Sequence, residues 1–299
     1  MSIRRESAGF VLSKSAEVFV TGAESFVGKN FLKFCRDRDI SYTGVDLIAS
    51  NDPNISQIDI CESRLTDVIP YNSVVIHLAA ISRDSDCSQN PMLANKVNIE
   101  GTLNVLKSAQ LKSAKQLIFA SSEWVYGQVS NDTEQRESDE LKVQKLDSVY
   151  ALTKVIGEQY LRLLRDDLDI TVLRFGIIYG PRPSNWSAVE SLFDSVKHKS
   201  EVSVGSLQAG RRFIHVDDIC DGILASIGQT GFEIFNISSD NTVTLGQVID
   251  ESKRILRRTP KVIEISPEKI SIRNPNNEKA KRVLRWTPKK SISDGLRSL

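Results

Sequence analysis

A chain of 299 residues, 40% of them apolar and 26% charged, has material for a large buried core and the composition of an ordinary globular protein. Its formal net charge of +1 provides no broad basic field for nucleic acid or an anionic membrane, and no apolar run approaches the ~18 residues of a membrane span. Four scattered cysteines (Cys35, Cys61, Cys87, Cys220) form no C-x-x-C pair, and His77, His198 and His215 lack metal-ligand spacing, so no structural zinc is expected and a reducing cytoplasm is the simplest compartment.

In chain order, the leader "MSIRRESAGFVLSKSAE" is basic, but its apolar stretch "AGFVL" is too short for a signal peptide, and residues 1–15 read as an extension. "EVFVTGA" and "SYTGVDL" read as buried strands around the helical "FVGKNFLKFCRDRD". Then come the strand "SVVIHLAA", a helix over "PMLANKVNIEGTLNVLKSAQL", the strand "QLIFASS", a helix carrying Tyr150, and the strand "ITVLRFGIIYG". Repeated strand–helix–strand units predict an α/β fold, a doubly wound parallel sheet with helices on both faces. The sheet domain is expected over 16–175, with 212–238 returning to it. The pattern loosens after "GPRPSNW", so 176–299 are expected to form mainly a smaller C-terminal α/β domain that covers a substrate.

Two stretches carry chemistry. In "VFVTGAESFVGKNFL" Gly22 and Gly28 bracket a turn between strand and helix: Gly22 permits the tight path, and Gly28 lets the helix approach the sheet. Backbone N–H groups at the helix start, around Ser25, Phe26 and Val27, can bind a pyrophosphate, with Ser25 in place of the usual middle glycine. Asp46 ends the second strand eighteen residues beyond Gly28; an acid there accepts from ribose hydroxyls and repels a 2′-phosphate. The following "LIAS" has no arginine, which favours NAD over NADP. The alternative for Asp46 is a turn cap. In "SVYALTKVIGEQYL" Tyr150 and Lys154 stand four apart on one helix face. Such pairs are common on ordinary helices. A fixed ammonium beside a buried phenol is expected to bring it well below its free value of about 10.

The ordered set "TGAESFVG", "VDL", "QIDI", "HLAA", "VNIEGTLNVL", "SSEWVYG", "YALTK", "LRFGIIYGPR", "RRFIHVDDI" and "AKRVLRW", from about Val18 to Leu296, resembles the extended short-chain dehydrogenase/reductase family of nucleotide-sugar epimerases and dehydratases. The resemblance implies that Asp59 and Ile60 flank the adenine and that Leu78, Ala79 and Ala80 line the cofactor cleft. It makes Ser122, Tyr150 and Lys154 the catalytic set, with Tyr150 as the base. Glu123 stands where the family's dehydratases keep an acid, with a loop-ordering carboxylate as the alternative. Trp124 replaces their glutamate base and accepts no proton. Ile177 replaces an asparagine that helps hold the substrate in many nucleotide-sugar enzymes. Arg211 matches a diphosphate-contacting arginine, Arg273 is a second phosphate contact, and Arg212 is equally well a surface charge. Trp124, Arg211 and Arg273 make up the expected substrate-contacting group.

The resemblance implies an NAD-dependent nucleotide-sugar epimerase working through a transient 4-keto sugar. The alternatives are an atypical dehydratase, a 4-ketoreductase, or a non-catalytic NAD-binding sensor or scaffold. It also implies a homodimer through the helices containing Asn98–Leu111 and Tyr150–Leu164, whose apolar stripes equally suit the sheet-facing side.

Overall fold

A computed structural model describes residues 17–127, 133–184 and 187–299; the expected extension over 1–15 lies outside the described residues. Seven parallel strands form the main sheet: β1 (Val18–Thr21), β2 (Tyr42–Asp46), β3 (Ile55–Gln57), β4 (Val74–His77), β5 (Gln116–Ser122), β6 (Asp169–Phe175) and β7 (Phe232–Ile237). Their order is β7-β6-β5-β4-β1-β2-β3. β1 pairs with β2 on one side and β4 on the other, so the winding direction reverses between β1 and β4. A crevice opens at the carboxyl ends of strands at such a reversal, which is where α/β sheets bind ligands.

All four residues of β1 and of β4 are buried, because helices cover both faces. Alternation sends Val18, Val20 and Ile76 to one face, against Phe31, Leu32 and Cys35 of α1 (Phe26–Arg36) and Ile219 and Ile223 of the Val216–Ala225 helix. It sends Phe19, Val75 and Phe119 to the other face, against Val105, Leu106 and Leu161. Each such side chain contributes about 1.5–3 kcal/mol of transfer free energy.

The C-terminal region builds a smaller α/β unit. Val243–Thr244, Gly210–Arg211 and Ile272–Arg273 form one small sheet, and Glu201–Val204 pairs with Lys261–Glu264. The helices Ala188–His198 and Leu245–Leu256 share a third core with Val202 and Val204. The Leu245–Leu256 helix opens on a capping box, Thr244 Oγ1 accepting from Gln247 N at 3.1 Å and Gln247 Oε1 from Thr244 N at 2.8 Å.

Two expected elements come out broken. The helix predicted over "PMLANKVNIEGTLNVLKSAQL" is Pro91–Asn95, a π-helical turn Lys96–Gly101, then Thr102–Leu111. The widened turn seats Asn98 in the interior, where its side chain accepts from Ile81 N (2.8 Å) and donates to Ile81 O (2.9 Å) and Thr153 Oγ1 (3.0 Å). The strand predicted over "ITVLRFGIIYG" ends at Phe175, and Ile178–Tyr179 pairs instead with Ile214–His215. At the break, a Cβ on Gly176 would lie 2.7 Å from Arg212 O.

Candidate active site

The turn after β1 explains its glycines. Gly22 has φ +72°, and a Cβ there would stand 2.7 Å from Ala79 N; one on Gly28 would stand 2.2 Å from Gly22 O. Turn, helix and the Leu78–Ala80 segment are thus in direct backbone contact, tied by Leu78 N to Thr21 O (3.1 Å) and Ala79 N to Thr21 Oγ1 (3.3 Å). Ser25 is the N-cap of α1, its hydroxyl accepting from Gly28 N at 3.0 Å. The N–H groups of Phe26 and Val27, in the first turn, have no carbonyl of the helix to bond and suit an anion. Gly28→Val should therefore destroy nucleotide binding, because the added Cβ meets backbone; the check is loss of the NAD-induced rise in melting temperature.

Asp46 ends β2 with its carboxylate held by Glu24 N (2.8 Å) and Ile48 N (3.0 Å). It caps its turn, and each oxygen keeps a second acceptor site for a ribose hydroxyl. Beyond it lies a hollow of about 280 Å³ bordered by Glu24, Lys29, Arg36, Ser50 and Asp52. Lys29 is paired with Glu24 at 2.8 Å, and Arg36 is bonded to Tyr42 (2.8 Å) and Asp52 (3.3 Å). These cations are already engaged, which suits NAD better than a 2′-phosphate. Asp59 and Ile60 follow β3: the Asp59 carboxylate accepts from Cys61 N at 2.9 Å, and the Ile60 side chain is buried in the core. Leu78, Ala79 and Ala80 lie half-buried where β4 ends. This donor and acceptor set fits a dinucleotide.

Beneath the crevice, His77 bonds Thr21 Oγ1 (2.7 Å) and Thr102 Oγ1 (3.0 Å). Burial lowers its pKa to about 3, so it is neutral and joins the turn to the helix layer.

Ser122, Tyr150 and Lys154 converge at the end of β5. Ser148 caps the Val149–Leu164 helix, accepting from Ala151 N (3.0 Å) and donating to Asp84 Oδ1 (2.7 Å), which also accepts from Tyr150 N (3.2 Å). Ser122 is the neighbouring side chain that favours the ionised form of the Tyr150 phenol. Lys154 Nζ is buried, donates to Ala120 O at 2.8 Å, and lies 5.8 Å from the Tyr150 ring centroid. Burial lowers this ammonium to about 8. The expected drop in the Tyr150 pKa is not found: burial pushes the phenol up to about 12, only partly opposed by Ser122. The ammonium alone, 5.8 Å from the ring centroid, does not bring the phenol into the neutral range, and further positive charge is needed to ionise it.

A second group stands beside this one. Glu123 is wholly buried, 3.8 Å from Arg211 Nε, and burial raises it to about 7 against the pull of Arg273 and Arg211. Arg211 and Arg273 are register partners on adjacent strands. Arg273 lies 4.4 Å over the Trp124 ring, which meets Tyr150 edge-on at 6.4 Å between centroids. Burial also disposes of Arg212 as a surface charge: it is 7% exposed and pairs with Glu134 at 3.0 Å. Ile177 packs against the C-terminal core.

Sequence reading passed over Asn98, which ties the Leu78–Ile81 segment to the Tyr150 helix, and Glu158. Glu158 forms a bidentate pair with Arg174 (3.0 and 2.7 Å) and accepts from Ser121 (2.5 Å), next to Ser122. Arg174 continues to Tyr126 (3.0 Å), and Tyr126 to Asn236 (2.8 Å). The available signal was spacing, since Tyr150, Lys154 and Glu158 follow one another at one-turn intervals. Among the described residues no His/Cys/Asp/Glu cluster could hold a metal, and no helix is long and apolar enough to cross a membrane.

Comparison with known proteins agrees with this architecture. The chain is 28% identical over 302 residues to a UDP-glucuronate 4-epimerase of Thermodesulfobacterium geofontis, covering 97% of this chain and 92% of that one. Its fold matches UDP-glucose 4-epimerase of Thermotoga maritima, solved with UDP-glucose (TM-score 0.83, 24% identity, 94% and 96% of the two chains). It matches equally the UDP-glucose 4-epimerase of Thermus thermophilus, solved with NAD (TM-score 0.82, 22% identity, 94% and 97%). The family model of NAD dependent epimerases and dehydratases matches residues 18–238. With that match spanning sheet, phosphate turn and the Ser122–Tyr150–Lys154 group, the chain belongs to the NAD dependent epimerase/dehydratase family: it is an enzyme, and its cofactor is NAD.

Proposed function

We propose that this enzyme is a nucleotide-sugar 4-epimerase working through a transient 4-keto sugar. The observation that carries the reading is the convergence of Ser122, Tyr150 and Lys154 at the mouth of the crevice above Gly22 and Gly28. When bound, NAD supplies the hydride acceptor and donor and a positive ring charge beside the phenol. Tyr150 removes the proton from the sugar C4 hydroxyl and returns it to that same oxygen once C4 has been re-reduced on its opposite face. Ser122 bonds that oxygen and holds it in line with Tyr150. Lys154, fixed on Ala120 O, orients the pair and adds a buried cation. Arg211 and Arg273 hold the diphosphate, as a pair of guanidinium groups suits.

The dehydratase alternative needs two proton-transferring groups after Ser122, and only Glu123 titrates; the Trp124 indole accepts no proton. The test is product analysis with UDP-glucose, UDP-glucuronate and UDP-N-acetylglucosamine. The C4 epimer should form with no net absorbance change at the nicotinamide band. Loss of water would instead mean a dehydratase, stoichiometric NADH a ketoreductase, and tightly held NAD without turnover a sensor or scaffold.

The second copy of a homodimer is proposed to cover the outward sides of two neighbouring helical segments. Leu106 and Leu161 face the sheet, but Leu163 (65%), Leu111 (58%), Leu152 and Tyr160 stand exposed on the two helices, and Met92 (79%) on the Pro91–Asn95 helix. Leu163→Glu combined with Met92→Glu should convert the dimer to monomers in light scattering while leaving the melting temperature of the monomer unit intact.

A further inference from the structure

Six buried side-chain atoms among the described residues have no hydrogen-bond partner, and three of them lie in one cluster: both oxygens of Glu123 and Nε of Arg273. The charged groups bearing on the Glu123 carboxyl are Arg273 and Arg211, from adjacent strands of the C-terminal unit; its own turn contributes Ser122 and Trp124. Neither arginine gives it a hydrogen bond. Arg211 is committed to Gly210 O (2.6 Å), Ser271 O (2.5 Å) and Ser271 Oγ (3.0 Å), and Arg273 lies over Trp124. A carboxylate placed this way offsets the arginines' charge without being held by them, and keeping it ionised in the interior is costly. Its titration near 7 is the expected balance of burial against two cations. An anion arriving at the same arginines competes for their charge and repels the carboxylate across a low-dielectric gap.

We propose that Glu123 is a positioning residue acting through Arg211 and Arg273: ionised in the free enzyme, it takes up one proton when the diphosphate of a nucleotide sugar docks on the arginine pair. This deepens, and rests on, the reading that the two arginines hold the diphosphate. The step makes one O–H bond, the proton coming from solvent, and restores to the arginines the charge that Glu123 had offset. The sign follows from linkage. Binding raises the carboxyl's titration, so uptake occurs above about pH 7, where the free enzyme is ionised and the complex is not. Affinity therefore falls with rising pH through that range. It is flat below it, where both states are already protonated.

The test is calorimetric titration of UDP-glucose into the NAD-loaded enzyme at about pH 8, in two buffers of different ionisation enthalpy. Its diphosphate is esterified at both ends, so the ligand itself does not titrate there. Uptake approaching one proton is expected, with affinity declining from about pH 7 to about pH 9. Lys154 titrates in the same range, so the neutral isostere Glu123→Gln isolates the carboxyl: it should take up no proton and bind about tenfold tighter at about pH 8. Should that variant fold poorly, Lys154→Met, which removes the other group titrating in this range, should leave the proton uptake in place. Normal binding without proton uptake overturns the inference and leaves the epimerase reading standing. Failure of UDP-glucose, UDP-glucuronate and UDP-N-acetylglucosamine alike to bind removes that reading, and the inference with it.

Discussion

Tyr150→Phe is expected to lower turnover by about 10²–10⁴-fold, the range of a positioned general base, while leaving NAD affinity nearly unchanged. The phenylalanine keeps the ring and its edge contact with Trp124, so packing survives. What goes is the phenol oxygen, whose ionised form Ser122 favours. The wild-type phenol stands at about 12 without ligand, so near neutrality only a trace is ionised, and activity should rise with pH until the phenol of the loaded enzyme is ionised. Lys154→Met should move this rise to higher pH, because it removes a buried cation beside the ring. Full turnover by Tyr150→Phe, with NAD titrated by fluorescence to the same dissociation constant, would end the proposed mechanism.

The second large effect is on stability. Glu158 and Arg174 are 1% and 2% exposed and joined by a bidentate pair, with Ser121 and Tyr126 completing their bonds. Glu158→Ala leaves a guanidinium buried without its counter-charge and should cost about 3–5 kcal/mol, read as a lower midpoint in urea at unchanged slope. Glu158→Leu with Arg174→Met removes both charges at similar volume and should recover most of that loss. The double variant also separates stability from catalysis. Ser121 would lose its acceptor one residue from Ser122, so the refolded double variant should still turn over more slowly than wild type. An unchanged kcat there would make the network purely structural.

Much of the molecule is legible in the chain because its signals are local. The buried strands read as continuous apolar runs because helices cover both faces of the sheet. Gly22 and Gly28 can be read because their positions reject a side chain: the neighbouring backbone stands 2.7 and 2.2 Å from where a Cβ would be. Helix periodicity puts Tyr150 and Lys154 on one face. It is silent on the π-helical turn at Lys96–Gly101, whose cause is the long-range seat of Asn98 against Ile81 and Thr153. The break after Phe175 is hidden for a similar reason, since the partner of Ile178–Tyr179, Ile214–His215, lies far along the chain.

By itself the sequence determined the doubly wound sheet, the glycine turn after β1, the acid at the end of β2 and the presence of Ser122, Tyr150 and Lys154, since each depends on side-chain volume or spacing within a short segment. Only the tertiary structure decided the charge state of that set. Burial is the largest influence on the titration of both Tyr150 and Lys154, and it depends on what packs around them rather than on their four-residue spacing. It likewise put Glu123 between two arginines from a different part of the chain, because desolvation and Coulomb energy depend on distance in space, and position along the chain does not encode that distance.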